Sequence, residues 1–188
     1  MWWHERRAAV LRLAGPLLAL ALAVALAGCF EPLYGERTLS GGEGLRQRLG
    51  SVDVKPIQAP NGTPAARIAV ELRNALIFDM TGGSETARST HRLDIQMSSN
   101  VQQVIVDIAT ARPDVEQYGV NVTYTLTEIA TGRPVVRGQT FARVSYDNPG
   151  QQQRFARSRG QRDAENRAIK VISDNIRSRM ASYFVAGS

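Results

Sequence analysis

EQYGVNVTYTLTEIATGRPVVRGQTFARVSY, residues 116–146, decides the fold class. Over residues 116–129 apolar and polar residues alternate. Tyr118, Val120, Val122, Tyr124 and Leu126 share one face, and Asn121, Thr123, Thr125 and Thr127 share the other. A period of two is the mark of a strand buried on one side. Ala130-Thr131-Gly132-Arg133 supplies turn chemistry, so residues 134–146 read as the return strand of a hairpin. There Val136, Thr140, Ala142, Val144 and Tyr146 fall on one face. Arg137, Gln139, Phe141 and Arg143 fall on the other, with Phe141 the misfit in that polar set.

Upstream, residues 91–107 alternate as well. Leu93, Ile95 and Met97 oppose Asp94, Gln96 and Ser98, and the pattern slips around Asn100–Gln103, which predicts a bulge. Further upstream, Ile68, Leu72, Leu76 and Met80 recur every four residues and predict a helix over 64–80. Thr63 serves as its cap, Pro64 as its first residue and Gly82-Gly83 as its stop. Before it, Val52, Val54 and Ile57 mark a short strand that Pro56 interrupts.

Downstream, Asn148-Pro149-Gly150 breaks the strand, and residues 151–160 are polar and basic. Ala164, Ala168, Ile172, Ile176 and Met180 then stripe a helix over about 161–184, widened by Val171, Tyr183 and Phe184. The order is β-α-β-β-β-α. It predicts an α+β fold with two helices on one face of a roughly four-stranded, mostly antiparallel sheet.

The N-terminal part is different in kind. Arg6, Arg7 and Arg12 precede LAGPLLALALAVALA, residues 13–27, and Leu26-Ala27-Gly28-Cys29 follows. A basic segment followed by an apolar run too short for the ~20 residues of a spanning helix reads as a secretory signal. Leu26–Cys29 matches the lipobox of bacterial lipoproteins. Small residues admit the backbone to a protease cleft, and the thiol is the strongest nucleophile among side chains for thioether formation. The match implies cleavage between Gly28 and Cys29 and a triacylated Cys29, with palmitate among the acyl chains. Phe30 rather than Asp follows the cysteine, which agrees with sorting to the outer membrane of a Gram-negative cell. The expected organisation is a signal peptide over 1–28, a lipidated Gly-rich tether over 29–50, and one domain over 51–186.

Composition narrows the function. The chain has 188 residues, 43 % hydrophobic and 21 % charged, with a formal net charge of +6. Arg6, Arg7 and Arg12 against Glu5 place two of those six charges in the signal segment. The remaining surplus is too small to call for nucleic acid and admits an anionic partner. One cysteine excludes an intrachain disulfide, and His91 is the only histidine past the signal, which leaves no zinc constellation. His91 and Asp94 are the sole hint of catalysis, and no nucleophile elbow or phosphate loop accompanies them.

Cys29-Phe30-Glu31-Pro32-Leu33-Tyr34-Gly35, the Glu71-Leu72-Arg73-Asn74-Ala75-Leu76 helix, Tyr124-Thr125-Leu126 and Tyr146 together resemble the LPS-assembly lipoprotein family LptE, in its alphaproteobacterial form. Pro32–Gly35 beside the lipobox is the most specific piece. The resemblance implies a non-enzymatic protein without a cofactor, plugging the outer-membrane β-barrel LptD, assisting its assembly and binding lipopolysaccharide. On that reading the row Thr123, Thr125, Thr127 and the row Arg137, Gln139, Arg143 face the barrel. Arg112, in the loop before the third strand, and Arg133, in the hairpin, contact the anionic lipid. The competing reading is an accessory lipoprotein of a periplasmic lipid transporter or cell-wall complex.

Overall fold

The computed structural model describes residues 44–83, 88–107, 112–148 and 154–186. The elements are α1 (Leu45–Gly50), β1 (Val52–Val54), α2 (Pro64–Thr81), β2 (His91–Asp107), β3 (Arg112–Glu128), β4 (Pro134–Asp147) and α3 (Arg154–Ala186). The strands form one sheet in the order β1-β2-β3-β4. β1 runs parallel to β2, which requires the α2 crossover. β2–β3 and β3–β4 are antiparallel. The fold is α+β, as the sequence predicts, with three helices and a mixed sheet among the described residues.

The alternation in β3 sets the sheet's inner face. Tyr118, Val120, Val122, Tyr124 and Leu126 are all buried. Ile68, Leu72, Leu76 and Met80 of α2 meet them, as do Ala164, Ala168, Ile172, Ile176 and Met180 of α3. Each fully buried aliphatic side chain contributes about 1.5–3 kcal/mol relative to exposure. Tyr124 lies opposite Gly138, where a Cβ would stand 2.4 Å from the Tyr124 hydroxyl oxygen. Only glycine leaves room for that ring. Polar ties fix the helices: Ser173 Oγ donates to Asp79 Oδ2 at 2.6 Å, and Arg73 Nε donates to the Val54 carbonyl at 3.0 Å.

The α2 caps form as expected. Thr63 Oγ1 accepts from the Ala66 N–H at 3.3 Å, and Gly82, at φ 65°, donates its N–H to the Phe78 carbonyl at 2.7 Å. The bulge lies slightly beyond the predicted stretch: Gln103 pairs with Glu116 and Ile105 with Val115, so Val104 is the extra residue.

Several boundaries differ from the sequence reading. Residues 45–50, within the expected tether, form α1 because Leu45 and Leu49 are one turn apart and both enter the core. Arg48 Nη1 then donates to the Phe184 carbonyl at 2.9 Å. β1 ends at Val54, before Pro56. β3 starts at Arg112 rather than 116, and α3 starts at Arg154 rather than 161. The early turns of α3 lack an apolar stripe, and an ion pair to β3 ties them to the sheet. Val171 lies outside the helix stripe, 45 % exposed.

Candidate interaction surface

The helices cover one face of the sheet, and the other face carries the predicted polar rows. Register places Thr125 between Asp94 and Arg137, Thr123 between Gln96 and Gln139, and Asn121 between Ser98 and Phe141. Thr123, Arg137, Gln139, Phe141 and Arg143 are exposed, and Thr125 and Thr127 are half-buried between their neighbours. Thr123, Thr125, Thr127, Arg137 and Arg143 therefore do share one surface.

That surface is electrostatically uneven. Toward β1 its charges are paired across strands: Lys55 Nζ stands 2.7 Å from Asp94 Oδ1, and Arg92 Nε 3.3 Å from Asp53 Oδ2. Toward β4, Arg137 and Arg143 have no acidic partner among the described residues. The Arg143 guanidinium carbon lies 5.0 Å from the centre of the Phe141 ring, a cation–π contact. That contact explains the misfit Phe141. At 59 % exposure it packs against an arginine on the open face. A period-two reading finds the rows but not these pairs, because Asp53 and Arg92 lie far apart in sequence and meet only through β1–β2 pairing.

The two arginines assigned to lipid contact are not brought together. Arg112 is not in a loop. It opens β3 opposite Asp107 at the tip of the β2–β3 hairpin. The register shifts after Gln103 carry the pairing further along both strands than alternation alone suggests. Arg133 is exposed in the turn at the other end of β3. A strand of this length at ~3.3 Å per residue separates them by about 50 Å. One small anion cannot bridge them. Gly28 and Cys29 lie outside the described residues.

At the Arg112 end a buried carboxylate joins three elements. Glu116 accepts from Tyr146 Oη at 2.7 Å, Asn148 Nδ2 at 3.1 Å and Arg157 Nη2 at 2.7 Å. Burial, reinforced by the Glu116 carboxylate, pushes the Tyr146 hydroxyl far above its ordinary value, so it stays a donor. A second buried carboxylate, Glu165, is paired with Arg67 and accepts from Gln161 Nε2 at 3.0 Å. Glu116 is saturated with donors, each oxygen of Glu165 receives one, and both carboxylates fasten α3 to its neighbours.

His91 and Asp94 do not form a site. Three residues apart on a strand, they face opposite sides. His91 packs edge-on against Phe184 and Tyr183, ring centres 5.1 and 6.0 Å away, and burial lowers its pKa. Asp94 is held by Lys55 on the open face. Among the described residues no three His, Cys, Asp or Glu side chains converge as metal ligands, and no helix is long and apolar enough to cross a membrane.

Comparison with solved structures finds the same fold in a lipoprotein from Caulobacter crescentus. It is 19 % identical, with a TM-score of 0.59, covering 77 % of this chain and 97 % of that one. The rare lipoprotein B from Shewanella oneidensis is 14 % identical, with a TM-score of 0.50, covering 72 % and 96 %. Comparison with curated proteins finds no match. The model of the family LptE, described as lipopolysaccharide-assembly, matches residues 49–180. That span takes in the whole sheet and all of α2, and the chain belongs to the LptE lipopolysaccharide-assembly family.

Proposed function

We propose that the chain is exported, cut between Gly28 and Cys29 and lipidated on Cys29. It is then held on the periplasmic side of the outer membrane. There the domain, residues 51–186 with α1 packed on it, assists assembly of the β-barrel LptD, plugs it, and binds lipopolysaccharide for insertion at the cell surface. It acts by binding and uses no cofactor.

The observation that carries this reading is the helix-free sheet face in a chain of this family. A plug meets a wet, polar lumen, and it needs a rigid surface with adaptable hydrogen-bonding groups rather than an apolar patch. Thr123 and Thr125 on β3 and Gln139 on β4 offer such groups on two paired strands, and Arg137 and Arg143 offer forked donors to acidic or carbonyl partners. The wide separation of Arg112 and Arg133 makes them two independent candidate contacts for anionic lipid.

A photo-crosslinking residue at Thr123 or Gln139, incorporated in cells, tests the plug. The expected product is an adduct with a large outer-membrane barrel. Adducts with an inner-membrane transporter instead, or with a cell-wall synthase, would replace this reading by the accessory one. Arg112→Glu and Arg133→Glu, made separately, test the lipid contacts. Lipopolysaccharide binding unchanged in both would remove these two residues from the site.

A further inference from the structure

A backbone N–H can attack the side-chain amide of the asparagine just before it, and the fold decides where that approach is open. The chain has seven asparagines. Six are protected. Asn74 lies in α2, and Asn166 and Asn175 lie in α3, where the next N–H is held by the helix ladder. Asn100 and Asn121 lie in β2 and β3, and each precedes a valine whose branched side chain crowds the approach. Asn148 precedes Pro149, which has no N–H to lose.

Asn61 differs on each count. It precedes Gly62, so no side chain stands beside the attacking nitrogen. Both residues are exposed, in the turn between β1 and α2. Gly62 has φ 76°, and a Cβ built on it would meet no atom within 4 Å. Among the described residues no backbone carbonyl accepts from the Gly62 N–H. Nucleophile and amide both stand in water, on a segment that no ladder holds.

We propose that Asn61 is a site of spontaneous covalent modification in the folded chain, by intramolecular deamidation. The Gly62 nitrogen gives its proton to water or hydroxide and attacks Asn61 Cγ. The N–Cγ bond forms, the Cγ–Nδ2 bond breaks, and Nδ2 leaves with a proton as ammonia. The product is a cyclic succinimide, which water opens on one side or the other. Attack at Cγ leaves aspartate at position 61. Attack at the main-chain carbonyl leaves isoaspartate, whose backbone runs through Cβ and Cγ and is one carbon longer. Both products bear on α2. Thr63 caps that helix while its hydroxyl donates to the Pro60 carbonyl at 2.6 Å, a bond that closes the turn over residues 61 and 62. The aspartate sets a negative charge before a helix whose first turn has no acidic residue, which favours the helix. The extra carbon of isoaspartate enlarges the turn and pulls the cap apart. The barrel-plug reading is not needed for this inference.

Ageing the full chain tests it. The protein, purified in detergent, is held at mildly alkaline pH, folded in one sample and unfolded in urea in another, and peptide mass spectrometry reads each asparagine. The expected result in the folded sample is a gain of about 1 Da at residue 61, an OH in place of an NH2, as both aspartate and isoaspartate. A protease that cuts before aspartate but not before isoaspartate separates the two. The folded and urea samples are expected to react at similar rates at residue 61, while the other asparagines change only in urea. Asn61→Gln is expected to abolish the mass gain, and Gly62→Ala to slow it, because a Cβ shields the nitrogen. Hydrogen exchange at residues 66–69 is expected to quicken in the isoaspartate fraction, and unchanged exchange there overturns the loss of the cap. An Asn61 that stays intact in the folded sample while it reacts in urea shows that the turn protects it, and overturns the proposal. Modification of the folded chain that is no faster at Asn61 than at Asn100 or Asn121 overturns it as well.

Discussion

Along β3 the inner residues Val122, Tyr124 and Leu126 are buried in the core on the helix side, while Asn121 and Thr123, on either side of Val122 in sequence, look out from the open face. Neighbours in sequence thus occupy a close-packed interior and an uncovered surface. The inner face holds the domain together, and the open face is free to be chosen for what it meets. The comparison predicts that stability and partner binding separate cleanly by residue parity. The most severe test is Leu126→Ala, at a side chain with 0 % exposure. Deleting a fully buried isobutyl group costs about 2–5 kcal/mol, depending on how far the cavity collapses. Urea unfolding should show the midpoint falling at constant slope. A loss under about 0.5 kcal/mol would mean that β3 is not packed as described.

The buried carboxylates sharpen the comparison, since they are polar groups on the packed side. Glu116→Gln keeps the size and removes the charge that receives Arg157, Tyr146 and Asn148. The amide offers one acceptor oxygen where the carboxylate offers two, and its NH2 faces donors. The expected cost is about 1–3 kcal/mol. Arg157 is about half exposed and regains water when released, which favours the lower part of that range. The effect should be local. Hydrogen exchange should quicken in residues 154–160 well before it does in residues 172–180. Uniform quickening along α3 would show that the ion pair does not hold those first turns.

These two sides of the molecule were also unequally legible in the sequence. The inner face of β3, the 91–107 strand and the four-residue spacing of α2 can be read directly, because burial imposes a period that composition displays. The stop at Gly82 is legible for the same local reason: a left-handed residue is needed there. α1 is not legible within the tether, since two leucines one turn apart are too little signal without the α3 end they pack on. The start of α3 is not legible because its support is the pairing of Arg157 with Glu116, 41 residues upstream of it. The candidate surface was legible as rows, but its chemistry was not. Lys55–Asp94, Arg92–Asp53 and Arg143 over Phe141 depend on register or on side-chain geometry that alternation does not encode.

The smallest expected effect lies on the open face. Thr123→Ala removes a hydroxyl from an exposed position whose neighbours are Gln96 and Gln139. Nothing there is desolvated in the free domain, so no buried donor or acceptor is orphaned, and stability should stay within about 0.5 kcal/mol of the unaltered chain. β-branching favours threonine in a strand, which sets the sign as a slight loss. Binding is the discriminating measurement. If the face is an interface, a hydroxyl that bonds across it is worth more in the complex than in the free protein, because the partner's group is left unpaired when it goes. Recovery of the barrel with Thr123→Ala should therefore fall at unchanged melting temperature. A loss of stability with no change in recovery would reverse the assignment and make the open face a structural surface.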